Sequence, residues 1–324
     1  MYTGVMKTSI FNTLFTTGLV PVVKIEDSSL APDLGKALMK GGIPVAEVTF
    51  RTSTAAESIR AMVDQVPGLL VGAGTVINVE MAKKALQAGA AFVVSPGFNP
   101  KVVEYCLEHD MPIVPGINNP TGIEQALNYG LDFLKFFPAE PSGGVQMLDA
   151  LSAPYNQVRF MPTGGIGLHN LEDYAKRSYV HAIGGSWMVP PSAIEKQDWD
   201  AISTLCRDGM LKLQGFDFGH LGINSDNPNE AADIVKTFEL FGFSISQGVS
   251  SYFINREIEI MKSPYLGSRG HIAIRTNNVR RAGEFLGKKG FTPKEETAKT
   301  NDGKLIALYL EPEVAGFALH LLQK

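Results

Sequence analysis

Phe133-Leu134-Lys135-Phe136-Phe137-Pro138-Ala139 sets one lysine inside an apolar run that ends on a proline. Such near-continuous apolar runs are strands buried on both faces, as in a parallel sheet covered by helices. Outward from it, the same beat recurs seven times: LVPVVKI (19–25), AEVTF (46–50), LLVGAGT (69–75), FVVSPG (92–97), MPIVPGI (111–117), RFMPTGG (159–165) and VHAIGG (180–185). The runs give way to Gly, Pro, Ser, Thr or Asn and then to amphipathic segments such as DLGKALMKGG (33–42) and EMAKKALQAGA (80–90). Eight such units before residue 190 predict an α/β chain with a (β/α)8 TIM barrel, with an open doubly wound sheet as the alternative. The polar and glycine-rich residues at the C-terminal ends of the runs favour the barrel, in which those ends converge on one site.

A closing helix is expected from Pro191 to about Leu213, and Gly215 opens a different texture. From residue 216 the order becomes strand, helix, then several strands, and it occurs twice. The first copy starts at FDFGHLGIN (216–224) with a helix near 229–242; the second starts at GHIAIRT (270–276) with a helix near 279–290. The likeness of GHLGIN to GHIAIR, some 50 residues apart, fits a duplicated βαβββ module. The expected division is therefore a barrel over 1–214 and a smaller α+β domain of paired βαβββ modules over 215–324.

The 324 residues, 44% of them hydrophobic, are enough for one large or two ordinary domains without disulfide or metal staples. A net charge of −4 gives no basic field for nucleic acid, and no apolar run is long enough to span a membrane. Two cysteines, Cys106 and Cys206, make no disulfide framework and fit no metal-ligand spacing. With no secretory signal recognised in the first 23 residues, a reducing, cytoplasmic setting is expected.

Lys135 is the first candidate for chemistry. An unpaired ammonium in an apolar strand is costly to bury, while a neutral amine attacks carbonyls and forms imines. A lysine snorkelling to the rim is the plainer alternative. Glu47 lies inside the second run, and Arg51 four residues later would sit at its mouth, suited to a two-pronged hold on a carboxylate. Read alone, the two are equally an ordinary structural ion pair. Gly164-Gly165 and Gly184-Gly185-Ser186 end the seventh and eighth runs, where barrels usually bind phosphate on bare backbone N–H groups. Tight turns needing glycine are the alternative there. Met147, Met161 and Met188 read as core filler, Trp187 as packing under its glycine turn, and His109, His169 and His181 as surface or cap residues.

Several motifs fall in one order: Glu47-Val48-Thr49-Phe50-Arg51-Thr52, Val71-Gly72-Ala73-Gly74-Thr75-Val76, Val94-Ser95-Pro96-Gly97 and Pro115-Gly116. They continue as Leu134-Lys135-Phe136-Phe137-Pro138-Ala139-Glu140, Ser142-Gly143-Gly144, Met161-Pro162-Thr163-Gly164-Gly165-Ile166 and Gly184-Gly185-Ser186-Trp187. With these, residues 13–190 closely resemble the 2-keto-3-deoxy-6-phosphogluconate / 4-hydroxy-2-oxoglutarate aldolase family. The resemblance implies a trimeric class I aldolase on a (β/α)8 barrel. Such an enzyme splits a 2-keto-4-hydroxy acid to pyruvate and an aldehyde, glyceraldehyde 3-phosphate or glyoxylate, with no cofactor. It puts the imine lysine on Lys135, the acid/base carboxylate on Glu47 and the carboxylate-binding arginine on Arg51. Thr75 would place pyruvate and Thr163 would lie near the reacting carbons. Gly164, Gly165, Gly185 and Ser186 would hold phosphate, and Pro96 and Phe137 complete the substrate-binding set. Two departures fall at the site: Ile117-Asn118-Asn119-Pro120-Thr121-Gly122 in place of the usual threonine–proline–glutamate wall, and Lys24 where arginine is common. A ketoacid-binding protein without turnover, or a bifunctional enzyme, are the alternatives kept open.

Residues 215–324 are similar, more weakly, to the vicinal-oxygen-chelate (glyoxalase/bleomycin-resistance) superfamily. That resemblance implies a cup with possible metal ligands at His220, Glu259, His271 and His320, the last where glutamate is usual. A metal-free cup with core histidines is the alternative. Histidine and carboxylate ligands suit a divalent transition ion.

Overall fold

The computed structural model describes the backbone from residue 2 and the side chains from residue 9. Its packing separates two units, one ending at Leu213 and the other spanning Gln214–Lys324. Each is built from the alternation of apolar runs and amphipathic helices.

The first unit opens with a helix that the sequence reading did not single out, α1 (Tyr2–Thr17). Gly18, at φ 73°, ends it in the left-handed conformation that glycine adopts without cost, and its N–H returns to the Leu14 carbonyl. Strands β1 (Leu19–Val23), β2 (Val45–Thr49), β3 (Leu70–Gly74) and β4 (Phe92–Val94) follow in parallel register. The fifth run, expected as one strand, is two: β5 (Ile113–Val114) pairs with β4, and β6 (Gly116–Ile117) pairs with β7 (Phe133–Phe136). Pro115 lies between them and has no N–H for the ladder, although its carbonyl still accepts from the Lys135 N–H at 2.9 Å. Then come β8 (Arg159–Pro162), parallel to β7, and β9 (Ile183–Gly185), parallel to β1. Isolated parallel bridges from Phe160 to Val180 and from Thr163 to Gly184 join the β8 segment to the β9 segment. The eight strand positions thus form one closed, parallel ring.

Between them run α2 (Ala31–Lys40), α3 (Ala55–Gln65), α4 (Val79–Gln87), α5 (Pro100–Glu108), α6 (Pro120–Asn128), α7 (Gly144–Ser152) and the short α8 (Leu171–Ala175). Helix α2 buries Leu34 and Leu38, and α5 buries Val102, Val103 and Cys106. Each such side chain contributes about 1.5–3 kcal/mol of burial energy. Asn78, Asn99 and Asn119 cap α4, α5 and α6 through their side-chain oxygens, which explains why the helices begin where they do. The closing helix is broken: α9 (Pro191–Glu195) stops and α10 (Trp199–Gln214) restarts after Gln197, which has φ 56°.

In the second unit, β10 (Asp217–Asn224), α11 (Pro228–Glu239), β11 (Ile245–Gln247), β12 (Ser251–Ile254) and β13 (Ile258–Met261) make one βαβββ half. The other is β14 (Gly270–Thr276), α12 (Val279–Gly287), β15 (Thr292–Asn301), β16 (Lys304–Val314) and β17 (Phe317–Gln323). One sheet runs β11-β12-β13-β10-β14-β17-β16-β15, with β10 parallel to β13, β14 parallel to β17, and the halves joined by antiparallel β10–β14. Under α11 the core is Ala231, Val235, Ile254 and Ile260; under α12 it is Val279, Ala282, Leu308, Leu310 and Leu321. Side chains alternate along a strand, so His220, Glu259, His271, Tyr309 and His320 project from the opposite face of the same strands.

Candidate active site and a second polar cluster

Lys135 is the third residue of β7 and Glu47 the third of β2, 88 positions apart in the chain. Both point into the ring, where the Lys135 Nζ donates to Glu47 Oε1 at 3.2 Å. They are 5% and 1% exposed, so the pair is buried and a snorkelling lysine is ruled out. Glu47 Oε2 has no hydrogen-bond partner among the described residues. The Phe137 ring lies with its centre 5.4 Å from the ammonium.

The neighbouring strand explains how a carboxylate fits there. On β3, Gly72 and Gly74 share the inward face with no side chain. A Cβ on Gly74 would lie 2.3 Å from Glu47 Oε1, and one on Gly72 would lie 2.3 Å from the Phe92 ring. The motif is therefore a clearance for Glu47 and Phe92. Next along the chain, Thr75 has φ 58°, a conformation that strains a β-branched residue. Arg51 is held by its Nε–H to Thr49 Oγ1, which in turn donates to the Val23 carbonyl. Gly164 and Gly165, at φ 103° and 82°, take the left-handed turn after β8. A Cβ on Gly184 would lie 2.3 Å from Thr163 Oγ1, so that glycine seats the threonine against β9.

All eleven barrel residues named from the sequence line one cavity of about 320 Å³. They are Lys135, Glu47, Arg51, Thr75, Pro96, Phe137, Thr163, Gly164, Gly165, Gly185 and Ser186. Val22 and Ile166 line it too and escaped the sequence reading, since an apolar residue in an apolar run carries no chemical signal. Lys24 is not among the lining residues and pairs instead with Glu26 at 2.8 Å. The segment Ile117–Gly122 lines a neighbouring open groove that shares Pro96 and Phe137 with the cavity. The arrangement offers an amine for carbonyl attack, a carboxylate within proton-transfer reach of it, and guanidinium and backbone donors around the rim.

Of the residues read as bland, Met161 and Met188 are core and His109 and His169 are exposed. His181 instead packs half-buried between Phe15 and Phe133, at ring distances of 4.9 and 5.6 Å.

In the second unit, His220 Nε2 and His271 Nε2 lie 3.0 Å apart, and each is 3.1 Å from Glu259 Oε2. The other Glu259 oxygen accepts from Ser251 Oγ at 2.6 Å. Burial works against the Glu259 charge, but hydrogen bonds from His220, His271 and Ser251 outweigh it and hold the carboxyl well below its usual range. A Cβ on Gly222 would lie 2.1 Å from His271 Cε1, so the glycine makes room for that ring. These three side chains present ligand atoms within 4.8 Å of one another, a fit for a divalent ion. His320, the fourth position named from the sequence, does not join that group. It lies beside it, with both ring nitrogens buried and without hydrogen-bond partners among the described residues. Burial, and then His271 and His220 beside it, push its pKa down to about 3, so the ring is neutral.

The family profile described as KDPG and KHG aldolase matches residues 10–205 and so ends before the second unit. The chain is similar to the 2-dehydro-3-deoxy-phosphogluconate aldolase of Treponema pallidum (strain Nichols), 51% identical over 202 residues, covering 62% of this chain and 96% of that one. The KHG/KDPG aldolase of Escherichia coli (strain K12) is 43% identical over 204 residues, covering 63% and 96%. Among solved structures, the Legionella pneumophila KDPG aldolase with pyruvate captured as a covalent carbinolamine aligns with a TM-score of 0.60 and 36% identity, covering 61% and 96%. The 2-keto-3-deoxy-6-phosphogluconate aldolase of Zymomonas mobilis ZM4 with 3-phosphoglycerate aligns with a TM-score of 0.60 and 37% identity, covering 63% and 96%.

Proposed function

The chain belongs to the KDPG and KHG aldolase family, and from that premise we infer that its first unit is a class I aldehyde-lyase. It cleaves 2-keto-3-deoxy-6-phosphogluconate, 4-hydroxy-2-oxoglutarate or both to pyruvate and an aldehyde. The observation that carries this reading is the buried Lys135–Glu47 contact on the floor of the cavity.

In the proposed sequence Glu47 takes a proton from Lys135, and the free amine attacks the C2 ketone of the substrate. Glu47 returns that proton to the C2 oxygen, which leaves as water and gives a cationic imine that withdraws electrons from C3. Glu47, directly or through a water, removes the proton of the C4 hydroxyl. The C3–C4 bond breaks, its electron pair moves into the imine to form the enamine, and the aldehyde leaves. Protonation at C3 and hydrolysis release pyruvate and return the amine. Arg51 and Thr75 hold the substrate carboxylate, Pro96 and Phe137 wall the ketoacid, and Thr163 sits near the reacting carbons. Gly164, Gly165, Gly185 and Ser186 hold the distal phosphate. Orientation and the covalent electron sink supply most of the rate, and the positioned carboxylate adds about 10²–10⁴-fold.

Borohydride reduction in the presence of pyruvate tests this. A reduced adduct on the intact protein and none on Lys135→Ala is the expected result. An adduct that persists in Lys135→Ala, or none on the intact protein, overturns it. The latter result also favours a ketoacid-binding protein without turnover.

For the second unit, residues 215–324, we propose a vicinal-oxygen-chelate-like cup holding a divalent ion on His220, Glu259 and His271. The sharing of one carboxylate oxygen by two imidazole nitrogens favours it. Such an ion acts as a Lewis acid when bound. A homotrimer through the barrel and a cytoplasmic location complete the proposal; light scattering and fractionation test them. Among the described residues, no helix is long and apolar enough to cross a membrane.

A further inference from the structure

We propose that Glu140, fixed by the Tyr174 hydroxyl, is the positioning residue that holds the Gly164-Gly165 turn, and that it thereby sets how strongly the first unit prefers a substrate ending in phosphate over one that does not. The inference rests on the aldolase reading of the cavity and deepens it.

Gly164-Gly165 and Gly185-Ser186 bring no cationic side chain to the cavity, so a phosphate there depends on where their N–H groups point. Two adjacent glycines at positive φ are also the backbone least able to keep one pose unaided. The Ala139 N–H donates to the Thr163 carbonyl at 2.8 Å and the Glu140 N–H to the Gly164 carbonyl at 3.0 Å, so the segment after β7 runs alongside the turn. The Glu140 stem then lies against Gly165: a Cβ there would stand 2.6 Å from Glu140 Cβ and 2.7 Å from its Cγ. Asn170 adds a second hold, donating from Nδ2 to the Gly165 carbonyl at 3.3 Å and accepting at Oδ1 from the Gly167 N–H at 2.9 Å.

Glu140 is solvent-exposed, and an exposed glutamate ordinarily changes rotamer freely. Here its carboxylate accepts from the hydroxyl of Tyr174 on α8, a residue only 1% exposed. Burial, and then the Glu140 contact, push that phenol's pKa up, so it stays a donor. Gly144, the first residue of α7, clears the space: a Cβ on it would lie 3.0 Å from Glu140 Oε1 and 3.3 Å from the Tyr174 oxygen. Glu140, Asn170 and Tyr174 line a separate open groove and are not among the residues of the cavity. They act on a substrate only through the turn.

The test uses the full chain and steady-state cleavage of 2-keto-3-deoxy-6-phosphogluconate and of 4-hydroxy-2-oxoglutarate, with the pyruvate–borohydride adduct as a control on Lys135. The wild type is expected to favour the phosphorylated substrate in kcat/KM. Glu140→Ala should raise KM for that substrate about 10-fold, the weight of one hydrogen bond to a charged group, with kcat within about twofold. Its kinetics on 4-hydroxy-2-oxoglutarate and its adduct should match wild type. Glu140→Gln keeps the stem and an acceptor for Tyr174, so its KM should stay within about twofold of wild type. Tyr174→Phe should raise the same KM, and adding it to Glu140→Ala should cost nothing more. An unchanged KM in Glu140→Ala, an equal loss on both substrates, a Glu140→Gln variant as impaired as Glu140→Ala, or a wild type with no preference for phosphate overturns the inference while the aldolase reading stands. A wild type that forms no adduct overturns both.

Discussion

Gly74→Ala tests the active-site geometry without replacing any group that reacts. The new methyl would lie 2.3 Å from Glu47 Oε1, 2.6 Å from its Cγ and 2.8 Å from its Cδ. Carbon and oxygen do not approach within about 3.0 Å, so the carboxylate has to retreat by about 0.7 Å or more. From 3.2 Å, a retreat of that size carries the Lys135 contact past the reach of a hydrogen bond. Misplacement by about 1 Å costs on the order of 10²-fold in rate. The backbone is no obstacle, since Gly74 is not among the glycines with positive φ. Stability should fall by only about 1–3 kcal/mol, the usual cost of overpacking. The assay couples pyruvate release to lactate dehydrogenase, with Glu47→Gln and the double variant measured alongside. If Gly74→Ala acts through Glu47, the double variant should be no slower than Glu47→Gln alone. Should kcat of Gly74→Ala stay within about threefold of wild type, or should the two losses multiply, the assignment of Glu47 is wrong.

Thr75→Gly releases a strained backbone at φ 58°, so thermal unfolding of the first unit should show a gain of about 1 kcal/mol, while KM rises from the loss of the hydroxyl. Gly116→Ala sets a methyl 2.3 Å from the Pro96 carbonyl, a backbone clash that no rotamer relieves; denaturant melts should show a loss of about 2–3 kcal/mol. Gly222→Ala intrudes on the His271 ring; if the second unit holds a divalent ion as proposed, elemental analysis should find it on the wild type and not on this variant. Burial pushes the thiols of Cys106 and Cys206 up to about 12, so iodoacetamide at pH 8 should label neither in the folded chain and both in denaturant. Both thiols stay protonated when folded, so their contribution is whole below about pH 8.5 and is lost as pH rises toward 12.

Much of this protein is readable locally. The order of strands and helices follows from periodicity, because burial on two faces demands an apolar run and burial on one demands an amphipathic one. Lys135 stands out because an ammonium in such a run needs a reason, and the glycine pairs do because they fall at strand ends. The repeat of GHLGIN as GHIAIR announces the two halves of the second sheet. Other features escape such reading. The split of the fifth strand at Pro115, the helix before β1 and the break near Gln197 depend on how neighbours compete for backbone hydrogen bonds. So does the place of His181, which reads as a polar residue yet packs between two phenylalanines.

The chain's primary structure specifies which groups are available and in what order: an amine, a carboxylate, a guanidinium, bare glycine turns, three histidines and a glutamate. Folding brings Lys135 and Glu47 to 3.2 Å, lets Gly74 clear the space for the carboxylate, and leaves His320 just outside the cluster of His220, Glu259 and His271. Strand periodicity sets only which face a side chain takes, whereas distance across a closed ring or an eight-stranded sheet is set by pairing between segments far apart in the chain.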